Sequence, residues 1–261
     1  MTRLARTPPT RRVERGNGHS YYLDGERADG VTYALDQGFP KPGLLKWSAE
    51  ATAKYAVDHW EELAELKTSE KLDTLFGARF KDRDEAGRAG TLVHRLALEL
   101  ARGAEVDVPD YIAGHVDSYL KFATDWNVVD YLVEVVVLNR RWRYMGTLDL
   151  IGEIAGELWL IDFKTARSGV FAENGLQLAA YRNAESYLGD DGLEHDLPKV
   201  ERCGVVWIRA DGYDLTPVDA GPEEFRTFLY ALEIARWRSK DGRSRSVVGE
   251  ALEPPNRSEV A

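Results

Sequence analysis

Two apolar runs that meet at Ala155-Gly156 constrain this chain more than any other feature. The stretch from Gly146 opens with GTLDLIGEI, turns at Ala-Gly and returns as ELWLIDFKTA; after a gap it continues as GLQLAAY, ending at Tyr181. Alternation of apolar and polar residues predicts two antiparallel strands followed by a helix. If Ala155 and Gly156 are the two loop residues, Ile154 faces Glu157, and the same register sets Asp149 directly opposite Asp162. A one-residue bulge would shift that pairing. Residues two apart on a strand share a face, so Lys164 accompanies Asp162. The opposite face reads Leu148, Leu150, Ile154, Trp159, Ile161 and Phe163, and is expected to be core.

Directly opposed residues have Cβ atoms about 4.5–5.5 Å apart. Two carboxylates that close repel unless a cation lies between them. Oxygen ligands suit a hard cation such as Mg²⁺ or Mn²⁺. A neighbouring lysine can orient a metal-bound water and stabilise charge building on a phosphate.

Asp149, twelve intervening residues and then Asp162-Phe163-Lys164 resemble the PD-(D/E)XK nuclease superfamily. The flanking residues resemble its RecB-like branch: Gly146-Thr147-Leu148-Asp149, then Asp162-Phe163-Lys164-Thr165, then Gln177 and Tyr181 in a Q-x-x-x-Y spacing. Gly90-Thr91-Leu92-Val93-His94 matches the histidine-bearing helix of that branch. One departure is Leu148, where proline would precede the first aspartate. The resemblance spans about Gly90 to Arg209.

The resemblance implies an α/β fold with a restriction-endonuclease-like core in the order αβββαβ, a central mixed sheet flanked by helices. It implies a metal-dependent DNA nuclease of recombination, repair or phage DNA metabolism, with exonuclease favoured over endonuclease because members of the branch mostly process ends. His94, Asp149, Asp162 and the Phe163 carbonyl would hold one or two Mg²⁺, or Mn²⁺. Lys164 would activate the attacking water. Gln177 and Tyr181 would contact DNA phosphate or brace Lys164, and Thr165 would join the DNA contacts. A recombinase, a single-strand-binding protein or a helicase are the protein partners such a nuclease would serve. A catalytically silent DNA-binding or assembly subunit with the same fold is the alternative, although such subunits usually lose an acid or the lysine. A carboxylate glycoside hydrolase built on Asp149 and Asp162 is a third reading, separable by its indifference to chelators.

Several of these residues also have plainer readings. His94 borders the apolar stripe Val93, Leu96, Ala97 and Leu100, where a core-edge histidine bonded to a carbonyl is common. Glu134 interrupts the strand YLVEVVVL, either as a half-exposed residue paired to an arginine such as Arg143 or as a third acid beside Asp149. Tyr181 can simply pack with Ala180, Ala184 and Leu188.

At 261 residues the chain can form one large domain or two small ones. Its single cysteine, Cys203, rules out an internal disulfide, a thiolate zinc site and a four-cysteine iron–sulfur cluster. Some RecB-like nucleases carry such a cluster, so this chain would close its fold without it. No apolar run approaches membrane-spanning length, and the basic N-terminus lacks the apolar core of a secretory signal. The expectation is a cytoplasmic protein, in the host cytoplasm if phage-encoded, with no membrane partner. Net charge is −10, so a DNA interface must be locally basic. Arg140, Arg141 and Arg143 form the best candidate cluster because they lead into the Asp149 strand.

The remaining chain divides into a disordered basic arm (1–18), a helical N-terminal portion packed on the core (19–88), the core itself (89–239) and a flexible tail (240–261). Within these, a short hairpin is expected from Ser20 to Leu35 with its turn near Gly25. A helix capped by Ser48 runs to about Leu66, a second covers Ser69 to Phe80, a charged loop covers 81–88, and a third helix covers Thr91 to Arg102. KPGLLKW ahead of a long helix resembles the N-terminal region of phage-encoded nucleases. Further elements are a helix from Pro109 to Thr124, strands 130–138, 142–154 and 158–164, a helix 174–188 and a polar loop 189–198. A hairpin of 202–209 with 213–218 and a helix 222–239 complete the chain.

Overall fold

The computed structural model describes residues 9–16, 18–101, 103–166, 168–238 and 251. In chain order the elements are β1 (Arg11–Arg15), β2 (Gly18–Leu23), β3 (Glu26–Gly30), α1 (Val31–Gly38), α2 (Pro42–Asp58), α3 (Trp60–Ala64), α4 (Thr68–Ala101), α5 (Asp110–Asp125), β4 (Val129–Asn139), β5 (Tyr144–Ile154), β6 (Glu157–Lys164), α6 (Glu173–Arg182), β7 (Ser186–Leu188), β8 (Glu194–Asp196), β9 (Arg202–Arg209), β10 (Gly212–Pro217) and α7 (Pro222–Arg238). The result is a mixed α/β protein built on one curled, mixed sheet.

The β5–β6 hairpin has the register read from the sequence: Ile154 pairs with Glu157, Gly152 with Trp159, and Leu150 with Ile161. Ala155 and Gly156 both lie in the left-handed region, at φ 52° and 83°. Two left-handed central residues twist a two-residue loop to match its strands, which fixes the register. β4 lies antiparallel along the other side of β5, and β9 runs parallel to β6. The free edge of β5 is shared. β3 pairs in parallel with Tyr144 and Met145, while β6 takes Leu150 to Ile154. Gly146 to Asp149 therefore have no ladder partner on that edge.

Both sheet faces are covered. One core joins Val137, Tyr144, Ile151, Leu160 and Val205 to residues of α1, α6 and α7, such as Leu35, Leu178 and Phe228. The other joins Leu150, Ile154, Ile161, Phe163 and Ile208 to α4 and α5 through Val93, Ala97, Val116 and Phe122. The residues expected on the inner face of the hairpin are all buried, but they do not form one face. Leu148 packs in the first core and Leu150 in the second, so strict alternation breaks around Asp149. Across the ladder Glu134 has φ 54°, an unusual backbone for a non-glycine, at the same step. The Phe163 ring meets His94, Tyr119 and Phe122 at centroid distances of 5.6, 4.7 and 5.9 Å. Truncating such a ring costs about 3–5 kcal/mol.

Several boundaries differ from the sequence reading. Arg11 to Arg15, placed in the disordered arm, form β1 and pair with β2 from Arg11↔Tyr22 to Arg15↔Gly18. The β2–β3 turn is at Asp24-Gly25 as expected, but Val31 onward is helix because Val31, Ala34 and Leu35 bury against the first core. α2 begins at Pro42, whose fixed φ suits the first helical turn, and Ser48 is interior: its carbonyl accepts a bond from the Thr52 hydroxyl. Residues 81–88 are helical, so the second and third expected helices are one 34-residue helix, α4. α6 stops at Arg182, and Ser186 to Leu188 instead pair with β4 as β7. The polar loop after it contains β8, paired with β7. The β9–β10 turn is at Ala210-Asp211, one residue earlier than expected. The expected tail, 240–261, lies outside the described residues except at position 251, as do positions 1–8 of the arm. Among the described residues no helix is long and apolar enough to cross a membrane.

Candidate functional site

The site lies where β5 and β6 fork. The ladder ends at Leu150↔Ile161, one step short of the expected Asp149–Asp162 pair. Beyond that step Asp149 bridges the gap with its side chain: the Phe163 amide donates to Asp149 Oδ2 at 2.7 Å. A side-chain carboxylate thus accepts the bond that a strand carbonyl would otherwise take.

Asp162 is 2 % exposed and holds the centre of a polar cluster. Its Oδ1 accepts from Gln177 Nε2 at 2.8 Å. Lys164 Nζ lies 2.7 Å from Oδ2, yet Oδ2 has no partner in hydrogen-bonding geometry. The short distance makes this an ion pair. Lys164 Nζ also donates to Gln177 Oε1 at 3.3 Å, and Gln177 Nε2 lies 3.3 Å from the Tyr181 hydroxyl. Gln177 and Tyr181 occupy one face of α6, as residues four apart must.

His94 and Glu134 complete the cluster. His94 Nδ1 is 3.9 Å from Glu134 Oε1, across from α4 to β4. His94, Glu134 and Asp149 each offer one ligand atom within 4.8 Å of the others. Glu134 therefore stands beside Asp149, not paired with Arg143, which bonds Glu26 instead. Asp162, expected among the ligands, is outside that trio and faces Lys164 and Gln177.

Burial dominates the electrostatics. It pushes Glu134 up to about 7, aided by the charge of Asp149. It pushes Asp162 up to about 6 against the pull of Lys164, and it raises Asp149 as well. Burial holds His94 down at about 4, so its imidazole is neutral and able to ligate a metal. Burial opposes the charge on Lys164, but Asp162 and Asp149 outweigh it and raise the lysine. Three carboxylates share the pocket with one ammonium, and all three bind protons more tightly than usual chiefly because burial penalises their charged forms. One divalent cation would bring the four charged groups into balance. The converging imidazole and carboxylates and the raised acids fit such an ion. The two carboxylates suit Mn²⁺ or Mg²⁺ when water fills the remaining positions.

Other expected site residues have different surroundings. Tyr181 is 3 % exposed, held by burial as a neutral phenol and set against Gly146, where an added Cβ would lie 2.5 Å from its ring. Its hydroxyl meets Gln177 Nε2, in line with the bracing role among its expected readings. The Thr165 hydroxyl lies under Gly90 of α4, 2.6 Å from where a Cβ would be, so it marks a close approach of the chain after β6 to that helix. Arg140 pairs with Asp24 and Glu194, and Arg143 with Glu26 at 2.7 Å. Arg141 stacks on Trp142. Two of the three cations expected to meet DNA thus pair with acids that tie the loop to the β2–β3 turn, β3 and β8.

One cation near the pocket was missed. Arg12 Nη1 lies 3.3 Å from the Thr147 hydroxyl, two residues from Asp149, and its charge opposes the rise at Glu134. The signal was the alternation Arg11-Val13-Arg15, obscured by a composition typical of a solvated arm.

No family model matches the chain, and no curated protein does. Solved structures that match include the crystal structure of SSO0001, at 15 % identity and a TM-score of 0.34, covering 82 % of this chain and 77 % of that one.

Proposed function

We propose that this chain is a Mg²⁺- or Mn²⁺-dependent deoxyribonuclease with a PD-(D/E)XK-type core, acting as an exonuclease. The observation that carries the reading is the convergence of His94, Glu134 and Asp149 within 4.8 Å, beside a buried Asp162–Lys164 pair at a strand fork. α4, β4, β5, β6, α6 and β9 supply the order of helix, three strands, helix and strand that the core requires, with α5 inserted after its first helix and β7 and β8 after α6.

A bound divalent ion would lower the pKa of a coordinated water and polarise the scissile phosphate. His94, Glu134 and Asp149 would hold it. Phe163 fixes the carboxylate of Asp149 through its amide, and its carbonyl is the further ligand proposed for the same ion. Lys164, steadied by Asp162 and Gln177, supplies an ammonium that orients the attacking water and offsets charge on the phosphate oxygens. Tyr181 keeps Gln177 in its rotamer.

The test is digestion of end-labelled linear and of circular DNA, single- and double-stranded, with Mg²⁺ or Mn²⁺ and with chelator. Degradation of linear DNA, arrested by chelator, with circles spared, is the expected result. Cleavage of circles would move the activity to an endonuclease. No cleavage of any substrate by the folded protein would overturn the reading.

A further inference from the structure

We infer that Arg12 is a substrate-binding residue of this site, donating to a backbone phosphate of the nucleic acid on the unpaired edge of β5. The inference rests on the nuclease reading for the identity of the ligand. It goes beyond that reading in bringing a residue from outside the core motif into the site.

Topology places the residue. β1 pairs with β2, β2 with β3, and β3 with the first residues of β5. The N-terminal strands therefore continue the sheet up to the gap at Gly146–Asp149. Arg12 is the cross-strand partner of Tyr21, and Glu14 of His19, so these four side chains share one face. That face turns toward the gap. The Tyr21 and Thr147 hydroxyls are 2.9 Å apart, and Arg12 Nη1 reaches the same Thr147 oxygen at 3.3 Å. Thr147 is two residues from Asp149 on β5, and the charge of Arg12 is felt at Glu134, so Arg12 borders the trio from the side that neither β3 nor β6 closes.

Chemistry favours an anion there. The pocket carries three carboxylates against one lysine, and a single divalent ion only balances it. A nucleic acid brings one negative charge per phosphate, and the flanking phosphates need cations of their own. Arg140 holds two acids, Asp24 and Glu194, whereas among the described residues Arg12 has one acid partner, Glu14 at 2.9 Å, whose side chain is 69 % exposed. Exposed pairs of this kind are weak and are readily exchanged for a phosphate, which guanidinium binds with two donors. The Nε edge faces Glu14, leaving the Nη donors aimed at Thr147 and His19.

Binding of a labelled oligonucleotide and its cleavage are measured across a salt series for the full chain, Arg12→Ala and Arg12→Lys, with thermal unfolding confirming that each variant is folded. Loss of one phosphate contact weakens binding roughly tenfold, as expected for one charge-assisted hydrogen bond. It also reduces the slope of log affinity against log salt by about 0.9 on duplex or about 0.7 on single-stranded DNA. KM rises with kcat nearly unchanged, and Arg12→Lys recovers the slope. A residue that only holds Glu14 and Thr147 would leave the slope alone. If Arg12→Ala cleaves and binds with unchanged KM and slope, the inference is overturned while the nuclease reading stands. If the full chain binds DNA with an Arg12-dependent slope but cleaves nothing, the nuclease reading falls and the inference stands. If it neither binds nor cleaves, both fall.

Discussion

Replacing Gln177 with leucine tests whether the polar cluster is wired as described. Gln177 is buried and donates to Asp162 Oδ1 at 2.8 Å. Its contacts to Lys164 and Tyr181, each 3.3 Å, are at the weak end of hydrogen bonding. Leucine keeps the approximate volume and removes every polar partner. With Asp162 ionised, the lost bond is one to a charged acceptor that water cannot replace, worth about 1.5–3 kcal/mol. The two longer contacts add little, so the loss at pH 8 is about 2–3 kcal/mol. For a domain of this size that lowers Tm by roughly 4–12 °C. Asp162 titrates at about 6, so at pH 5 the acceptor is mostly neutral and the loss shrinks to about 1 kcal/mol. Urea unfolding at the two pH values, both with chelator, reads the difference. A leucine variant as stable as the parent at pH 8, or a loss that ignores pH, would refute the wiring.

Two further outcomes follow from the same geometry. Without metal, Glu134 binds its proton more tightly folded than unfolded, so its contribution to stability is complete below about 4.5 and is lost as pH rises through about 7; Asp162 does the same between about 3.8 and 6. His94 has the opposite sign, its contribution being present above about 6.5 and lost as pH falls through about 4. Asp149, also raised, acts in the same direction as Glu134, so Glu134→Gln flattens without abolishing the fall in stability between about pH 4.5 and 7 measured by chemical denaturation; a profile unchanged by the substitution would contradict the burial argument. Gly146→Ala sets a Cβ 2.5 Å from the Tyr181 ring and 3.1 Å from Val31, which costs about 1–3 kcal/mol and displaces the brace on Gln177; a variant with unchanged Tm would show that the contact is not tight.

Local chemistry made the centre of this fold readable. Ala155-Gly156 admits a two-residue loop, and the loop fixes every pair up to Leu150↔Ile161. Sequence spacing then put Asp149, Asp162 and Lys164 at one end of the hairpin. It could not show the fork, because β6 leaves β5 to follow β9, a contact between segments distant in the chain. For the same reason it could not show that Asp162 meets Gln177 and Lys164 beside the trio of His94, Glu134 and Asp149. Arg12 was illegible because its place depends on β1 joining β2 and on β3 joining β5. Ser48 misled as a cap because its side chain suits that role at any helix start, while Pro42 carried the stronger signal. Charged residues at 81–88 read as loop, although Lys, Arg and Glu are good helix formers and α4 runs through them.

The central claim is that one cation is held between α4, β4 and β5. Crystals grown with Mn²⁺ and measured at its absorption edge address it directly. The account predicts an anomalous peak within coordination distance of His94, Glu134 and Asp149, absent from Asp149→Asn crystals grown the same way. A peak that survives that substitution, or Mn²⁺ bound elsewhere with this trio empty, would contradict it.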